Sequence, residues 1–566
     1  VIQKRTEHYA ESKSVMKIKF VANGLNQDGS LTGSRHRAVT VNMAYYFLKH
    51  YYHLHGLGNP IWLDCDLIHV EDFDDQFTSI KSQRPDLLAL SVFVWNERTQ
   101  FKLAEEYKKY NPSCIVVMGG PQLTAHKDPG FFEKFPYVDY VVYGDGEKPF
   151  QQLIDYHLGH DIDREDFVNI IENQNKLSVK HPFEMIADDL YLSTSPFLSQ
   201  TDFIRENLQR YKKFDIGMDR IKVGIEFARG CMYKCTFCDW SQNLTKKVKR
   251  RKHNWKDELL YFKDLDVQIR ETDANFGQWD EDLEIFDYAT TLYDTNKNFS
   301  FIPNNTPKLK RKSAYYIIQK VLETYDHKIL PWYPISLQDI DPVVLKAVDR
   351  PSPTLEQHKD SIMQLKKDSN VKVADRLAAQ VVLGMPEQTF DNFVDNMHTV
   401  WKTLGIKKFD INHWSWTPNS PSADPEYIKK YKLETVPVVY LKLRLPLDEN
   451  IHDLESLFEQ VKKRFDYNHY FIDDQLMYRT HKMNFSDMHS CVKALRQMQQ
   501  YPDKKEFSEA EMQEFKTVAR EYGNKISAEA DSMYEKHGFY ILAQYDKDTN
   551  SLIPSEFSIS EFKEEQ

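Results

Sequence analysis

Strand-sized apolar runs alternate with amphipathic, helix-sized stretches in two separate parts of this 566-residue chain. That alternation restricts the fold more than any other feature, because parallel strands joined by helices must bury both faces of their sheet. In the first part Met16 to Ala22, Ile61 to Asp64, Leu87 to Trp95, Ile115 to Met118 and Tyr137 to Tyr143 read as strands. Ala38 to Tyr51, Glu97 to Tyr110 and Pro149 to Tyr156 read as helices. The order predicts an α/β protein that opens with a doubly wound, Rossmann-like parallel sheet. Strand-like runs resume at Lys222 to Phe227, Val267 to Glu271, Phe299 to Pro303, Ile329 to Ile335, Ala379 to Leu383 and Lys408 to Ile411. Six such units predict a partial (β/α)6 barrel of the TIM type. From Pro425 onward the pattern is mostly helical and strongly charged, as at Leu454 to Phe465 and Glu509 to Tyr522, and it ends in an acidic tail. The expected domains are the sheet over 1–160, a connector over 161–221 with a turn at Ser193 to Pro196, the barrel over 222–425, and a mostly helical C-terminal domain over 426–566.

The formal net charge of −11 argues against a surface built to grip phosphate backbones, so nucleic acid is not expected as a partner. No window reaches the roughly 18 uninterrupted apolar residues of a membrane helix. The opening residues carry no apolar stretch of signal-peptide type and their missing initiator Met reads as a trimmed start, so a cytoplasmic location is expected. Of the six cysteines, Cys65, Cys114 and Cys491 stand alone, whereas Cys231, Cys235 and Cys238 crowd into eight residues. In a reducing compartment such a cluster more often holds a metal than a disulfide.

The segment Arg229-Gly-Cys-Met-Tyr-Lys-Cys-Thr-Phe-Cys-Asp-Trp240 places three and then two residues between successive cysteines. Three thiolates on one short loop can hold three irons of a four-iron, four-sulfur (4Fe-4S) cluster and leave the fourth iron open to an outside ligand. A structural zinc would need a fourth ligand, and His253, the one nearby candidate, matches no usual zinc spacing. With the aromatic Phe237 just before the third cysteine, the segment resembles the radical S-adenosylmethionine (SAM) superfamily, and the resemblance extends over about Lys222 to Pro425. It implies that SAM chelates the open iron. Barrel chemistry sits at the C-terminal strand ends, here Thr272-Asp-Ala-Asn-Phe-Gly277, Asn304-Asn305, Ser336-Leu-Gln-Asp339, Gly384-Met-Pro-Glu387 and Asn412-His-Trp-Ser-Trp416. By the same resemblance Phe237, Asp273, Asn275, Ser336, Gln338, Gly384 and Pro386 are expected at SAM, although each alone is also an ordinary loop residue. His413, Trp414 and Trp416 read as loop and packing residues, and no side chain is assigned as catalytic.

Open α/β sheets bind ligands beyond the carboxyl ends of their strands. Those ends are Ser91 to Asn96, Met118-Gly-Gly-Pro-Gln122 and Tyr143-Gly-Asp-Gly-Glu147. Gly-Gly-Pro also makes ordinary turns. Following Pro85-Asp86 and preceding Val138-Asp139, however, it resembles the cobalamin-binding domain that precedes the barrel in one large radical SAM class. Gln122 stands where His is common there, and Asp145 where Glu is common. The expected cobalamin contacts are Ser91, Trp95, Asn96, Gly119, Gly120, Pro121, Gln122, Gly144, Gly146 and Glu147. The Asp-x-His-x-x-Gly motif that supplies a histidine to cobalt is missing, Asp155-Tyr-His157-Leu-Gly159 being one residue short. Cobalt is therefore expected without histidine, with Trp95 covering its lower face or serving as a plain core residue.

The two resemblances imply a cobalamin-dependent radical SAM enzyme, with methyl transfer to an unactivated carbon as the leading activity. Reductive cleavage of SAM would yield methionine and a 5'-deoxyadenosyl radical, methylcobalamin would deliver the methyl group, and a second SAM would remethylate cobalt. The competing readings are ring contraction, cyclisation or epimerisation with or without cobalamin, and a non-catalytic metal-cluster module that binds RNA through Lys246 to Lys252. That basic run is expected to open the helix toward Trp255, where a solvated helix start is its ordinary meaning. Expected partners are a small-molecule or peptide substrate and an electron donor such as flavodoxin or ferredoxin, with no membrane. Nothing in the C-terminal helices names the substrate.

Overall fold

The computed structural model describes residues 15–23, 40–41, 43–68, 73–93, 96–173, 188–213, 221–238, 248–303, 312–326, 329–330, 332–368, 373–414, 416–441, 470–537, 540–541, 543–546 and 551–554. Trp95, Lys246, Lys247, Asn304, Asn305, Ser415, the expected helix Leu454 to Phe465 and the acidic tail lie outside them. The chain divides into two compact units, residues 1–24 with 42–209, and residues 25–41 with 210–566.

The first unit holds β1 (Lys17–Asn23), while the two-residue β2 (Thr40–Val41) belongs to the second. Then come α1 (Met43–His55), β3 (Ile61–Trp62), β4 (Asp66–Ile68), α2 (Phe73–Gln83), β5 (Leu87–Ser91), α3 (Glu97–Tyr110), β6 (Ile115–Gly119), α4 (Phe131–Lys134), β7 (Tyr140–Val142), α5 (Glu147–His157) and β8 (Ile170–Glu172). The sheet order is β3-β1-β5-β6-β7-β8, with β4 also on β1. Every pairing is parallel except that of β8 on β7. The strand order therefore reverses between β1 and β5, which opens the crevice where doubly wound sheets take ligands. Leu88, Leu90, Val116, Met118 and Val141 from the strands meet Leu103 and Tyr107 of α3 in one core. Within the expected connector, α6 (Asp189–Ser193) and α7 (Thr201–Lys213) lie against α1. Gln200 donates to the Tyr46 carbonyl at 2.9 Å and Asn207 to the Tyr46 hydroxyl at 3.1 Å.

The second unit carries the six barrel strands as two parallel sheets. The first has the order β13-β12-β9-β2 and the second β14-β15-β16, built from β9 (Ile221–Ile225), β12 (Val267–Glu271), β13 (Ser300–Pro303), β14 (Tyr333–Gln338), β15 (Leu377–Leu383) and β16 (Lys408–His413). Between β9 and β12 lie the short β10 (Ala228–Arg229) and β11 (Lys249–Arg250), which pair antiparallel, and α8 (Trp255–Lys263). The crossover helices that follow are α9 (Asp280–Thr295), α10 (Lys312–Thr324), α11 (Pro342–Ala347), α12 (Leu355–Asp368), α13 (Phe390–Leu404) and α14 (Pro425–Tyr431). Their ends are written locally: Thr389 and Asn392 form a capping box at the start of α13, and Gly405 in the left-handed region ends it. The C-terminal part adds helices Phe485–Gln499 and Glu509–His537, together with an antiparallel strand pair, Glu434–Leu441 and Tyr470–Arg479.

Several boundaries differ from expectation. The helix expected from Ala38 begins at Met43, and Thr40–Val41 instead pairs with β9, since β-branched residues favour the extended chain. The strand expected from Ile329 begins at Tyr333, because Arg376 takes the Leu330 carbonyl at 2.7 Å and removes it from the ladder. The basic run does not open a helix. Lys249–Arg250 is strand, and α8 starts at Trp255 behind the N-cap Asn254.

Candidate active site

The cysteine loop leaves the β10–β11 ribbon at Gly230, whose φ of +95° turns the chain. It is then held by protein on several sides. The Thr236 N–H donates to the Val348 carbonyl at 3.0 Å, and the Ser422 N–H donates to the Thr236 carbonyl at 3.0 Å. The Thr236 hydroxyl meets the Tyr427 hydroxyl at 3.0 Å, which itself donates to the Ala347 carbonyl at 3.0 Å. Cys235 is buried, while Cys231 and Cys238 are half-buried. Two side chains from other elements reach the sulfurs: Asn275 Nδ2 lies 3.1 Å from Cys231 Sγ, and Arg350 Nη1 lies 3.8 Å from Cys235 Sγ. Both donors point at sulfur, an arrangement that fits a cluster held by three cysteines. Among the described residues no three or more His, Cys, Asp or Glu side chains are drawn together around a single metal ion.

Asp273 ties the end of β12 to the end of β9 by accepting the Phe227 N–H at 2.7 Å. Burial pushes its carboxyl well above the usual aspartate range, and the charges of Glu226 and Asp282 push it the same way. With Ala228, Gly230, Met232, Asn275 and Trp279 it lines a small cleft next to the start of the cysteine loop. The basic run turns inward here: Arg250 pairs with Glu281 at 2.6 Å and Asp282 at 2.7 Å, and Arg251 lies 3.8 Å from Glu226. Buried carboxylates need such partners, and an RNA backbone gains nothing from arginines already paired.

On the second sheet the chain breaks register between Ser336 and Gln338, and Gln338 takes a φ of +65°. Ser336 Oγ and Gln338 Nε2 both donate to Gln380 Oε1, at 3.0 and 3.2 Å, and Gln380 Nε2 donates to Asp410 at 3.2 Å. Gln380 and Asp410 were not picked out from sequence. The signal was there in a lone glutamine inside the apolar run Leu377-Ala-Ala-Gln-Val-Val-Leu383. Arg350 Nη2 donates to the Ser336 carbonyl at 2.8 Å, which links this strand end to the cysteine loop.

Gly384 and Pro386 are buried, held by Gln388, which accepts the Gly384 N–H at 2.9 Å and donates to Asp339 at 2.7 Å. Over them lies helix Phe485–Gln499: a Cβ on Gly384 would come within 3.2 Å of Met488 Cε, and His413 Nε2 sits 3.0 Å from Met488 Sδ. Burial lowers the His413 pKa to about 4, so the ring is neutral near pH 7. The structure thus gathers Asp273 and Asn275 at the loop that carries Phe237, and joins Ser336 and Gln338 to it through Arg350. Gly384 and Pro386 lie apart, under the C-terminal helix.

In the first unit the β5 end closes on itself: Asn96 donates to the Ser91 carbonyl at 2.8 Å and accepts the Phe93 N–H at 2.6 Å. Gly120 has a φ of +131°, and a Cβ there would lie 2.1 Å from the Val92 carbonyl oxygen. At Gly119 the nearest neighbour would be the Val142 carbonyl at 3.6 Å, and at Gly146 Leu48 Cδ2 at 3.3 Å and Val142 Cγ1 at 4.0 Å. Gly144 adopts φ +70° between them. Of these glycines Gly119 leaves backbone open at the strand end to a broad, flat ligand, which fits a corrin ring. Pro121 and Gln122 continue that loop, Gln122 buried. Glu147, also buried, accepts the Tyr191 hydroxyl at 2.8 Å at the start of α5. His157 is engaged with the Tyr140 hydroxyl at 3.1 Å. His126, not singled out from sequence, stacks on Tyr143 with ring centroids 5.3 Å apart.

Residues 61–154, which contain these strand ends, match the B12-binding domain family. That stretch resembles a B12-binding domain. The matched relatives extend the likeness beyond it. The chain is 29% identical over 384 residues, 66% of its length and 54% of theirs, to the cobalamin-dependent radical SAM methyltransferase TokK of Streptomyces tokunonensis. It is 30% identical over 368 residues, 62% of its length and 50% of theirs, to 2-(S-pantetheinyl)-carbapenam-3-carboxylate methyltransferase of Streptantibioticus cattleyicolor. The chain thus spans about half the length of these curated relatives. Among solved structures, TsrM from Kitasatospora setae with cobalamin and a [4Fe-4S] cluster bound aligns with a TM-score of 0.54 at 13% identity, over 90% of this chain and all of that one. OxsB with aqua-cobalamin and SAM bound aligns with a TM-score of 0.53 at 14% identity, over 95% and 74%. At these identities the structures speak for the fold alone. Among the described residues no helix is long and apolar enough to cross a membrane.

Proposed function

We propose that the chain is a cobalamin-dependent radical SAM enzyme that methylates an unactivated carbon of a small molecule. The observation that carries this is the three-cysteine loop, with Asn275 and Arg350 aimed at its sulfurs, in a chain that also has a stretch resembling a B12-binding domain. When bound, a four-iron cluster with SAM would supply a 5'-deoxyadenosyl radical, and cobalamin would supply a transferable methyl group. On this reading Cys231, Cys235 and Cys238 ligate the cluster, and Phe237, Asp273, Asn275, Ser336, Gln338, Gly384 and Pro386 surround SAM. The glycines of the first unit, with Ser91, Pro121 and Gln122, border cobalamin, while Asn96 and Glu147 shape its loops from behind. The domain partition expected from the sequence is retained as part of the proposal. A one-electron donor of the flavodoxin or ferredoxin kind would deliver electrons, and a cytoplasmic setting, where thiols stay reduced, suits the six free cysteines.

The test is anaerobic reconstitution with iron, sulfide and hydroxocobalamin, followed by incubation with SAM deuterated on its methyl group and a substrate set that begins with carbapenam carboxylates. The expected result is a labelled methyl on the product, with 5'-deoxyadenosine and S-adenosylhomocysteine formed in near-equal amounts after uncoupled cleavage is subtracted. A rearranged, unmethylated product accompanied by 5'-deoxyadenosine alone overturns the methyl-transfer reading.

A further inference from the structure

Arg350 differs from the other arginines around the cysteine loop. Arg229 lies 2.9 Å from Glu226, Arg250 pairs with Glu281 and Asp282, and Arg251 faces Glu226. Among the described residues Arg350 has no carboxylate partner. One arm of its fork donates to the Ser336 carbonyl at 2.8 Å, the other points at Cys235 Sγ at 3.8 Å, and its buried Nε has no partner. A guanidinium keeps its charge at any working pH. Among the described residues no carboxylate cancels this charge, which stands beside the most deeply buried of the three thiols, where solvent screens it least.

The backbone fixes this placement. Asp349 takes a φ of +48° just past α11, and the Arg350 N–H donates to the Leu345 carbonyl at 2.9 Å. The adjacent Val348 carbonyl holds the Thr236 N–H of the cysteine loop. One helix end thus positions both the loop and the charge.

We infer that Arg350 is a positioning residue that raises the reduction potential of the iron-sulfur cluster at Cys231, Cys235 and Cys238, an inference that rests on those cysteines holding a cluster. Reduction by one electron makes the cluster more negative, so a nearby fixed positive charge stabilises the reduced form. Net charge and hydrogen bonds to sulfur are among the factors that set such potentials.

The experiment compares wild type, Arg350→Gln, Arg350→Lys and Arg350→His, all reconstituted anaerobically. Iron and sulfide are counted first, and each cluster is then titrated potentiometrically with detection by electron paramagnetic resonance. Arg350→Gln is expected to lower the ratio of reduced to oxidised cluster at fixed poise about tenfold, equivalent to about 59 mV for one electron. Arg350→Lys keeps the charge and is expected to stay close to wild type. In Arg350→His the potential should fall as the imidazole loses its charge between about pH 5 and 8, beyond any drift of wild type. Full clusters with the same potential in Arg350→Gln and wild type, or a histidine variant that tracks pH no more than wild type, overturn this inference alone. Wild type that takes up no iron overturns the cluster reading beneath it.

Discussion

The cysteine loop of the barrel, which follows the short antiparallel β10, and the Gly-Gly-Pro loop of the sheet, which follows the parallel β6, are held in opposite ways. In the barrel, side chains from distant elements come to the loop: Asn275 and Arg350 reach its sulfurs, and Tyr427 meets Thr236. In the sheet, backbone meets backbone: the Val92 N–H donates to the Gly119 carbonyl at 2.7 Å, and Gly120 leaves no room beside the Val92 carbonyl. Asn96 and Glu147, polar residues expected at the ligand, also hydrogen-bond within the protein, to Ser91, Phe93 and Tyr191. On the proposed reading a small, charged cluster would be held by directed ligands and donors. A broad corrin needs an open shape, which rigid backbone supplies.

This contrast can be broken most decisively at the cysteines. Replacing Cys231, Cys235 and Cys238 together by Ala should abolish iron absorbance after reconstitution and reduce SAM cleavage to background. Iron retained in stoichiometric amount would place the cluster elsewhere. Next in size is a pair of adjacent glycines. Gly120→Val combines a left-handed backbone with a clash on Val92 and should cost roughly 3 kcal/mol or more in denaturant melts of the protein. Gly119→Leu, with only ordinary contact near Val142, should change stability by less than about 1 kcal/mol yet reduce cobalamin retention, read from corrin absorbance after gel filtration. Equal stability losses at the two positions would erase the distinction between protein packing and ligand space.

Smaller effects sharpen the barrel side. Burial holds the Asp273 carboxyl above its usual range, so its contribution to stability is full below the ordinary aspartate value near pH 4 and is lost as pH rises through the raised one. Asp273→Asn should therefore raise Tm at pH 8 by about 1–3 °C in calorimetry, with little change at acid pH. A lower Tm at pH 8 would show that the charged form is the one the fold uses. Smallest is Glu387, which a hydrogen bond from Lys482, with His481 nearby, holds below the ordinary glutamate range. Its contribution is present above about pH 4.5 and fades as pH falls through the lowered value, and Lys482 is 43% exposed, so it is worth less than about 1 kcal/mol. Glu387→Gln should lower Tm slightly at pH 7, with the difference from wild type shrinking as pH falls below about 4.5. A difference that does not shrink with falling pH would assign Glu387 a role other than this ion pair.

The regular elements were legible where pattern is local. Helix α3 and strand β12 run over the residues their periodicity marks, Glu97–Tyr110 and Val267–Glu271. The strands β2, β4 and β8 are two or three residues long and exist only through their partners, so no window of sequence announces them. The cysteine loop was conspicuous because its three chemical groups are neighbours in the chain. Its supports were not: Arg350 stands 115 residues from Cys235, and Met488 stands 75 from His413. The basic run was misread as a helix start because charge alone does not reveal that Asp282 and Glu226 are buried and waiting for arginine.

The anchoring of the cysteine loop bears on how the protein matures. Thr236 is fastened at its N–H, carbonyl and hydroxyl to parts of the chain that contain no cysteine, at Val348, Ser422 and Tyr427. The loop's place in the fold is thus secured by hydrogen bonds to protein. On the proposed cluster reading, iron and sulfide would add to that anchoring and would not be its only source.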